Sequence, residues 1–244
     1  MMRWMAIGAT LVMLTVNGLA NGLPINGKTT GDIANGFDIA FTPAGYVFAI
    51  WGLIYLGVCA FSIVQALPAR ANEPVVRAVR PWHVVNALAN ASWIFAWHHE
   101  RFGLALGLMF VILGSLVAIT RAVEGVRGGM LYATVRAPFS LYLGWISVAT
   151  IANITVVAWT LGATDLLRDP AVTLALVAGA SVLCAVVALR RADPIYAAVF
   201  VWALIGIALK NADTPLVYGG ALGFAGVCVA VAAVAVVGAR RRAA

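Results

Sequence analysis

Eight separate stretches of this chain are apolar enough to cross a bilayer, and none carries Asp, Glu, Lys or Arg near its middle. The stretches fall at about 4–20, 45–67, 82–98, 102–120, 138–161, 171–189, 194–210 and 215–238. Runs of roughly 17–25 apolar residues are the length of a membrane helix; barrel strands instead alternate over ~10 residues. In lipid the backbone must satisfy its own hydrogen bonds, which leaves helices or a closed barrel. Hydrophobic residues make up 63% of the chain and charged residues 10%, so the polar surface of a soluble domain is missing. The expected fold is an all-α, polytopic integral membrane bundle of about eight transmembrane helices. Spans three and four, joined by His98-His99-Glu100-Arg101, read as an antiparallel hairpin.

Basic residues set an orientation. With the N-terminus in the cytoplasm, the cytoplasmic segments hold Arg3; Arg70, Arg77 and Arg80; Arg121, Arg127 and Arg136; Arg190 and Arg191; and Arg240, Arg241 and Arg242. Only Lys28, Arg101, Arg168 and Lys210 fall on the other side. The bias repeats at every loop, so both termini are expected in the cytoplasm of, by expectation, a bacterial inner membrane. A second reading makes the first span a signal peptide. Arg3 would be its basic region, Met5 to Val16 its apolar core and Ala20-Asn21-Gly22 its cleavage site. The net charge of +7 follows from the basic loops and tail. It points to anionic lipid headgroups as the partner, not to nucleic acid.

The polar residues within the spans are amides, hydroxyls and aromatics. Phe48, Trp51, Tyr55 and Cys59 recur at helical spacing in span two, Asn86, Asn90, Trp93 and Trp97 in span three, and Tyr142, Trp145, Ala149 and Asn153 in span five. Each face combines flat aromatic area with an amide or hydroxyl. Two readings stay open on spacing alone: helix packing with Asn bonds across the bundle, or a pocket for a planar lipophile. The loop at 21–44 is rich in turn residues (Asn21-Gly22, Pro24, Asn26-Gly27, Asn35-Gly36, Pro43) and leads into span two. A mobile lid is expected there.

No catalytic or metal-binding constellation emerges. Cys59, Cys184 and Cys228 are widely spaced in apolar spans and read as small hydrophobes. The His98–Arg101 turn reads as solvated and His83 as interfacial. No Walker, dinucleotide-binding or nucleophile-elbow pattern is present. Without intramembrane charges, ion coupling has no carrier.

Phe41-Thr-Pro-Ala-Gly-Tyr-Val-Phe-Ala-Ile-Trp-Gly-Leu-Ile-Tyr55 resembles the start of the second helix of the TspO/MBR family, the tryptophan-rich sensory or translocator proteins. Pro43, Val47-Phe48, Trp51 and Tyr55 carry the likeness. Asn90, Trp93 and Phe95 resemble the family's third helix, and Tyr142, Trp145 and Asn153 its fifth. The resemblance departs at Pro43-Ala44, where the family has a Pro-Pro pair, and at Pro138, four residues before Tyr142 instead of adjacent. It covers about residues 1–161 as a five-helix core, with residues 162–244 adding three helices and a basic tail.

The resemblance implies a hydrophobic pocket capped by the first loop. It also implies ligands such as porphyrin, haem, sterols or synthetic aromatic molecules, with haem or porphyrin expected as ligand and no cofactor assigned beyond that. The site expected on that basis is Phe48, Trp51, Tyr55, Asn90, Trp93, Tyr142, Trp145 and Asn153. The expected function is a membrane sensor or carrier for a lipophilic aromatic small molecule. The alternative is a transporter of a small solute without ion coupling. In the added helices, Tyr196 and Trp202 read as core, with an extension of the pocket as the second reading, and Gly219 and Gly223 are spaced for close helix approach, within the bundle or in a homodimer.

Overall fold

The structure is a computed structural model that describes residues 1–23 and 25–243. The turn expected at Pro24 and the Arg242 side chain of the basic tail lie outside the described residues. Eight long helices account for most of the chain: α1 (Met2–Gly22), α2 (Ile50–Val64), α3 (Pro74–His98), α4 (Phe102–Ala122), α5 (Ala137–Thr160), α6 (Pro170–Arg191), α7 (Pro194–Lys210) and α8 (Pro215–Ala243). There is no strand among the described residues. Among the described residues, six helical segments are long and apolar enough to cross a membrane. Helix α7 is apolar but has 17 residues. Helix α3 does not reach the same hydropathy because Arg77, Arg80, two histidines and two asparagines lie along its 25 residues.

Helix starts follow from local chemistry. Helices α3, α6, α7 and α8 each begin on a proline, whose missing N–H costs nothing in the first turn. Asp169 caps α6 by accepting from the Ala171 N–H at 2.8 Å, and Asp193 caps α7 by accepting from that of Tyr196 at 3.2 Å. Helix α3 starts two turns before the apolar run does, because Arg80 is buried and not left at an interface. Its guanidinium donates to the Gln65 side chain and backbone carbonyl, both at 2.7 Å. Ahead of α5 the chain makes a π-turn at Tyr132–Arg136. Pro138 has no N–H to offer Thr134, and a widened turn absorbs that loss.

The chain forms two compact units. The first comprises residues 1–34 and 51–146, the second residues 35–50 and 147–244. Compactness thus divides the chain elsewhere than at residue 161, the limit drawn from the extent of the resemblance.

In the first unit α3 packs against α1 and forms an antiparallel hairpin with α4. The buried face of α3 carries one polar group per turn: Arg80, His83, Asn86 and Asn90. Each reaches a different neighbour. Beyond the Arg80–Gln65 pair, His83 meets Thr10 of α1 at 2.8 Å. Asn86 donates to Ser115 of α4 at 3.0 Å. Asn90 accepts from Asn17 of α1 at 2.7 Å and donates to Tyr142 of α5 at 2.8 Å. Helix α1 is therefore bonded into the interior of this unit, as the family resemblance implies. Helices α2 and α5 approach closely where Gly57 meets Pro138: a Cβ on Gly57 would lie 2.5 Å from that of Pro138.

The second unit joins α6, α7 and α8, lined by Ala180, Cys184, Ala203, Ala221, Ala225 and Cys228. Cys184 and Cys228 are not isolated, as their spacing suggests, but neighbours across α6 and α8 that share a hydrogen bond. Tyr196 is fully buried and bonds Ser147 at 3.0 Å, in keeping with its reading as core. Gly219 and Gly223 face outward on α8, with no other atom within 4 Å of a built Cβ.

Candidate functional site

The Trp51–Tyr55 edge of α2 is neither core nor fully exposed. The deep stripe of that helix is Ile50, Ile54, Val58 and Phe61, and Trp51, Tyr55 and Cys59 flank it half-buried, four residues apart. The Trp51 ring stacks on Tyr55 (centroids 5.5 Å apart, planes 26°). It meets Tyr142 edge-on at 5.7 Å and Trp145 at 6.4 Å. Three aromatic rings from α2 and α5 thus meet Trp51.

One amide chain ties the hydroxyls of this cluster together. Tyr55 donates to Asn17 Oδ1 at 2.9 Å, Asn17 Nδ2 donates to Asn90 Oδ1, and Asn90 Nδ2 donates to the Tyr142 hydroxyl. Asn17 Nδ2 also donates to Met13 O within its own helix. Asn17 does not figure among the residues expected from the sequence. Its one available signal was its place seven residues after Thr10, on the same face of α1.

Of the eight expected residues, Trp51, Tyr55, Asn90, Tyr142 and Trp145 come together in this cluster. Trp93 stacks instead on Trp97 (5.2 Å, 20°), which meets Phe102 edge-on and donates to Thr30 O. Phe48 and Asn153 belong to the second unit. Phe48 is not on the α-helical face of Trp51, because the chain makes a 3-10 turn at Gly45–Ala49 and the α-helix begins only at Ile50. Asn153 donates to Ala149 O of its own helix.

The long loop is not a run of turns. It contains a helix at Thr30–Asn35, opened by a reciprocal cap in which Thr29 N–H donates to Asp32 and Asp32 N–H donates to the Thr29 hydroxyl. The Thr29 hydroxyl and backbone bonds hold the Asp32 carboxyl below the usual carboxylate range. In the first unit this part of the loop is gripped by His98. Its Nδ1 donates to Ile25 O at 3.1 Å and its Nε2 lies 3.0 Å from the Thr30 hydroxyl. His98 is fully buried, not solvated as the polar run around it suggests. His99, Glu100 and Arg101 are exposed, and Glu100 pairs with Lys28 at 2.6 Å. In the second unit, residues 35–50 lie along α7. Trp202 donates to Val47 O, Lys210 to Ile39 O, and Ala44 N–H to Gly206 O. Ile39, Phe41 and Thr42 are buried. His83, expected at an interface, is also fully buried, with Phe61 and Phe139 edge-on to its ring.

A chain whose described residues form helices and no strand, with six membrane-length apolar segments among them and polar groups turned inward, is a polytopic integral membrane protein. A family model described as TSPO-like protein matches residues 3–236, and the chain belongs to that family. The match continues well past residue 161, so the last three helices are part of the family pattern. No curated protein and no solved structure was found to match the chain.

Proposed function

We propose that the protein binds a lipophilic aromatic molecule, of the porphyrin or sterol-like class, as a membrane sensor or carrier, with the Trp51 cluster of the first unit as its contact surface. The supporting observation is that Trp51 gathers Tyr55, Tyr142 and Trp145 around a half-buried edge while the two tyrosine hydroxyls end on one Asn17–Asn90 relay. Such a surface offers stacking area to a flat molecule and hydrogen-bonding points to its polar rim. Membership of the TSPO-like family agrees with this reading. The basic loops would face anionic headgroups on the cytoplasmic side, with both termini there. The outward Gly219–Gly223 edge of α8 is where a second copy could pack.

Titration of the purified protein with protoporphyrin, followed by Trp quenching, tests the proposal. Aromatic contacts contribute about 0.5–1.5 kcal/mol each beyond area burial, and a tenfold change in affinity is only ~1.4 kcal/mol. Trp51→Ala and Trp145→Ala should each weaken binding several-fold in a protein that stays folded, and Trp202→Ala should weaken it much less. Unchanged affinity in all three variants, or no saturable quenching in the wild type, would mean that the cluster only packs.

A further inference from the structure

One end of the first unit gathers three arginines around a single neutral amide. The Arg80 guanidinium is buried and fixed by Gln65, whose side-chain and backbone oxygens accept from Nε and Nη2 at 2.7 Å each. Gln65 follows α2 directly and is fully buried. It reaches α1 as well, where its Nε2 donates to Arg3 O at 3.1 Å. One amide therefore joins α1, the end of α2 and α3 at the same level. Arg77 lies one turn before Arg80 on α3 and is exposed. Arg3 lies over the Trp4 ring, with its Cζ 4.9 Å from the centroid. Arg3 and Arg77 both act on the Arg80 charge, and both repel it.

Within the protein this charge is not cancelled. Among the described residues no carboxylate pairs with Arg3, Arg77 or Arg80. Glu73, the acidic residue nearest to them in sequence, is engaged by Arg70 at 2.6 Å. Gln65 orients Arg80 without neutralising it, and it engages Nε and Nη2 only. A guanidinium has a third nitrogen with two more N–H groups, set in the plane that matches phosphate oxygens. The surroundings show where the matching anion would come from. Trp4 is next to Arg3 and Trp82 is two residues after Arg80, and both are exposed. Exposed tryptophans at the ends of apolar helices sit at the headgroup level of a bilayer. That level puts the three arginines beside lipid phosphates.

We propose that Arg3, Arg77 and Arg80 form a binding site for the phosphate of an anionic phospholipid, where α1, α3 and the end of α2 meet. Arg80 presents a pre-oriented fork, and Arg3 and Arg77 add charge beside it. Three positive charges favour a headgroup of net negative charge over a zwitterionic one. The site shares with the function proposed above only the placement of this end at the cytoplasmic headgroups. It needs no ligand at Trp51, so the two proposals stand or fall separately.

The test is native mass spectrometry of the full-length protein, released from micelles holding phosphatidylglycerol or phosphatidylcholine. Phosphatidylglycerol should be retained as a discrete adduct at lower lipid concentration than phosphatidylcholine. Arg3→Ala and Arg77→Ala should each weaken that adduct about fivefold, the equivalent of ~1 kcal/mol per basic side chain near a membrane surface. Both variants should stay folded, because Arg77 is exposed and Gln65 bonds to the backbone of Arg3, which alanine retains. Circular dichroism checks their helices. Arg80→Lys keeps the charge and loses the fork, and it should weaken the adduct too. Arg127→Ala removes an exposed arginine outside the cluster and should change nothing. Equal retention of the two lipids, or an equal loss in Arg127→Ala, would mean diffuse attraction to a basic surface and overturn the site. Displacement of phosphatidylglycerol by millimolar inorganic phosphate would assign the cluster to a soluble phosphate compound and overturn the lipid.

Discussion

The two units of this protein solve the problem of holding helices together in lipid by different means. In the first, α3 carries a polar group on each successive turn from Arg80 to Asn90, and hydrogen bonds join it to α1, α4 and α5. In the second, α6, α7 and α8 meet over alanine, glycine and cysteine, and residues 35–50 join α7 through backbone-directed bonds from Trp202 and Lys210, the Ala44–Gly206 bond and a close steric approach. A Cβ on Gly206 would lie 2.1 Å from Val47 Cγ2, and one on Gly220 would lie 2.3 Å from Leu174 Cδ1. Lipid tails are as apolar as leucine, so association must come from close packing or from polar bonds. Side-chain pairs between helices dominate the first unit, which also holds the aromatic cluster, and close approach at glycine marks the second.

The contrast predicts unequal responses to substitution. The largest effect is expected at Gly206→Val, which drives a branched side chain into the Pro43–Val47 turn. Overpacking of this kind costs about 1–3 kcal/mol, and the loss of the Ala44–Gly206 bond adds to it. Denaturant unfolding in detergent should show a loss at the upper end of that range. A loss below ~0.5 kcal/mol would mean that the 35–50 segment adjusts and the steric description is wrong. A smaller loss is expected at Asn90→Leu in the first unit. It removes the bonds to Asn17 and Tyr142, and interhelical bonds in membranes average ~0.6 kcal/mol, reaching ~1.7. Unfolding should report about 1–2 kcal/mol, with the Tyr55–Asn17 end of the relay loosened.

The smallest effect is expected at Ala192→Gly, and its sign is opposite. Ala192 closes α6 in the left-handed region (φ 50°), where a side chain is strained. Glycine there should stabilise the second unit by up to ~1 kcal/mol, read as a rise in melting temperature. A fall would show that burial of the Ala192 methyl outweighs the relief of strain.

The helices are legible because each is a long apolar run bounded by prolines and charges, and α1, α4, α5, α6 and α7 lie within two residues of the runs seen in the sequence. The aromatic meeting of Trp51, Tyr55, Tyr142 and Trp145 was foreshadowed by spacing that puts each pair on one helical face. Three features were hidden for one physical reason: a sequence shows which residues share a helix face, but not which neighbour that face meets. His98 sits in a run of four polar residues and reads as solvated, yet the folded loop covers it. His83 lies close to an arginine and reads as interfacial, yet Arg80 turns to Gln65 and leaves His83 inside. Asn17 is a lone amide near the end of an apolar helix, and only the arrival of Asn90 and Tyr55 gives it a role. Phe48 leaves the helical face that its spacing suggests because a 3-10 turn advances the chain by a different angle per residue than the α-helix that follows it.

The equal offset between α1 and α3 has a consequence for how the protein is made. Thr10 meets His83 and Asn17 meets Asn90, each across 73 positions in the chain. At roughly 5–20 residues per second, the first helix leaves the ribosome about 4–15 s before its partner does. During that wait Thr10 and Asn17 would sit in lipid without α3. Each already has a shelter one turn back in its own helix, Thr10 on Ala6 O and Asn17 on Met13 O. Both bonds survive in the finished structure, so the later partners are added to them and no hydrogen bond has to be broken for α1 and α3 to join.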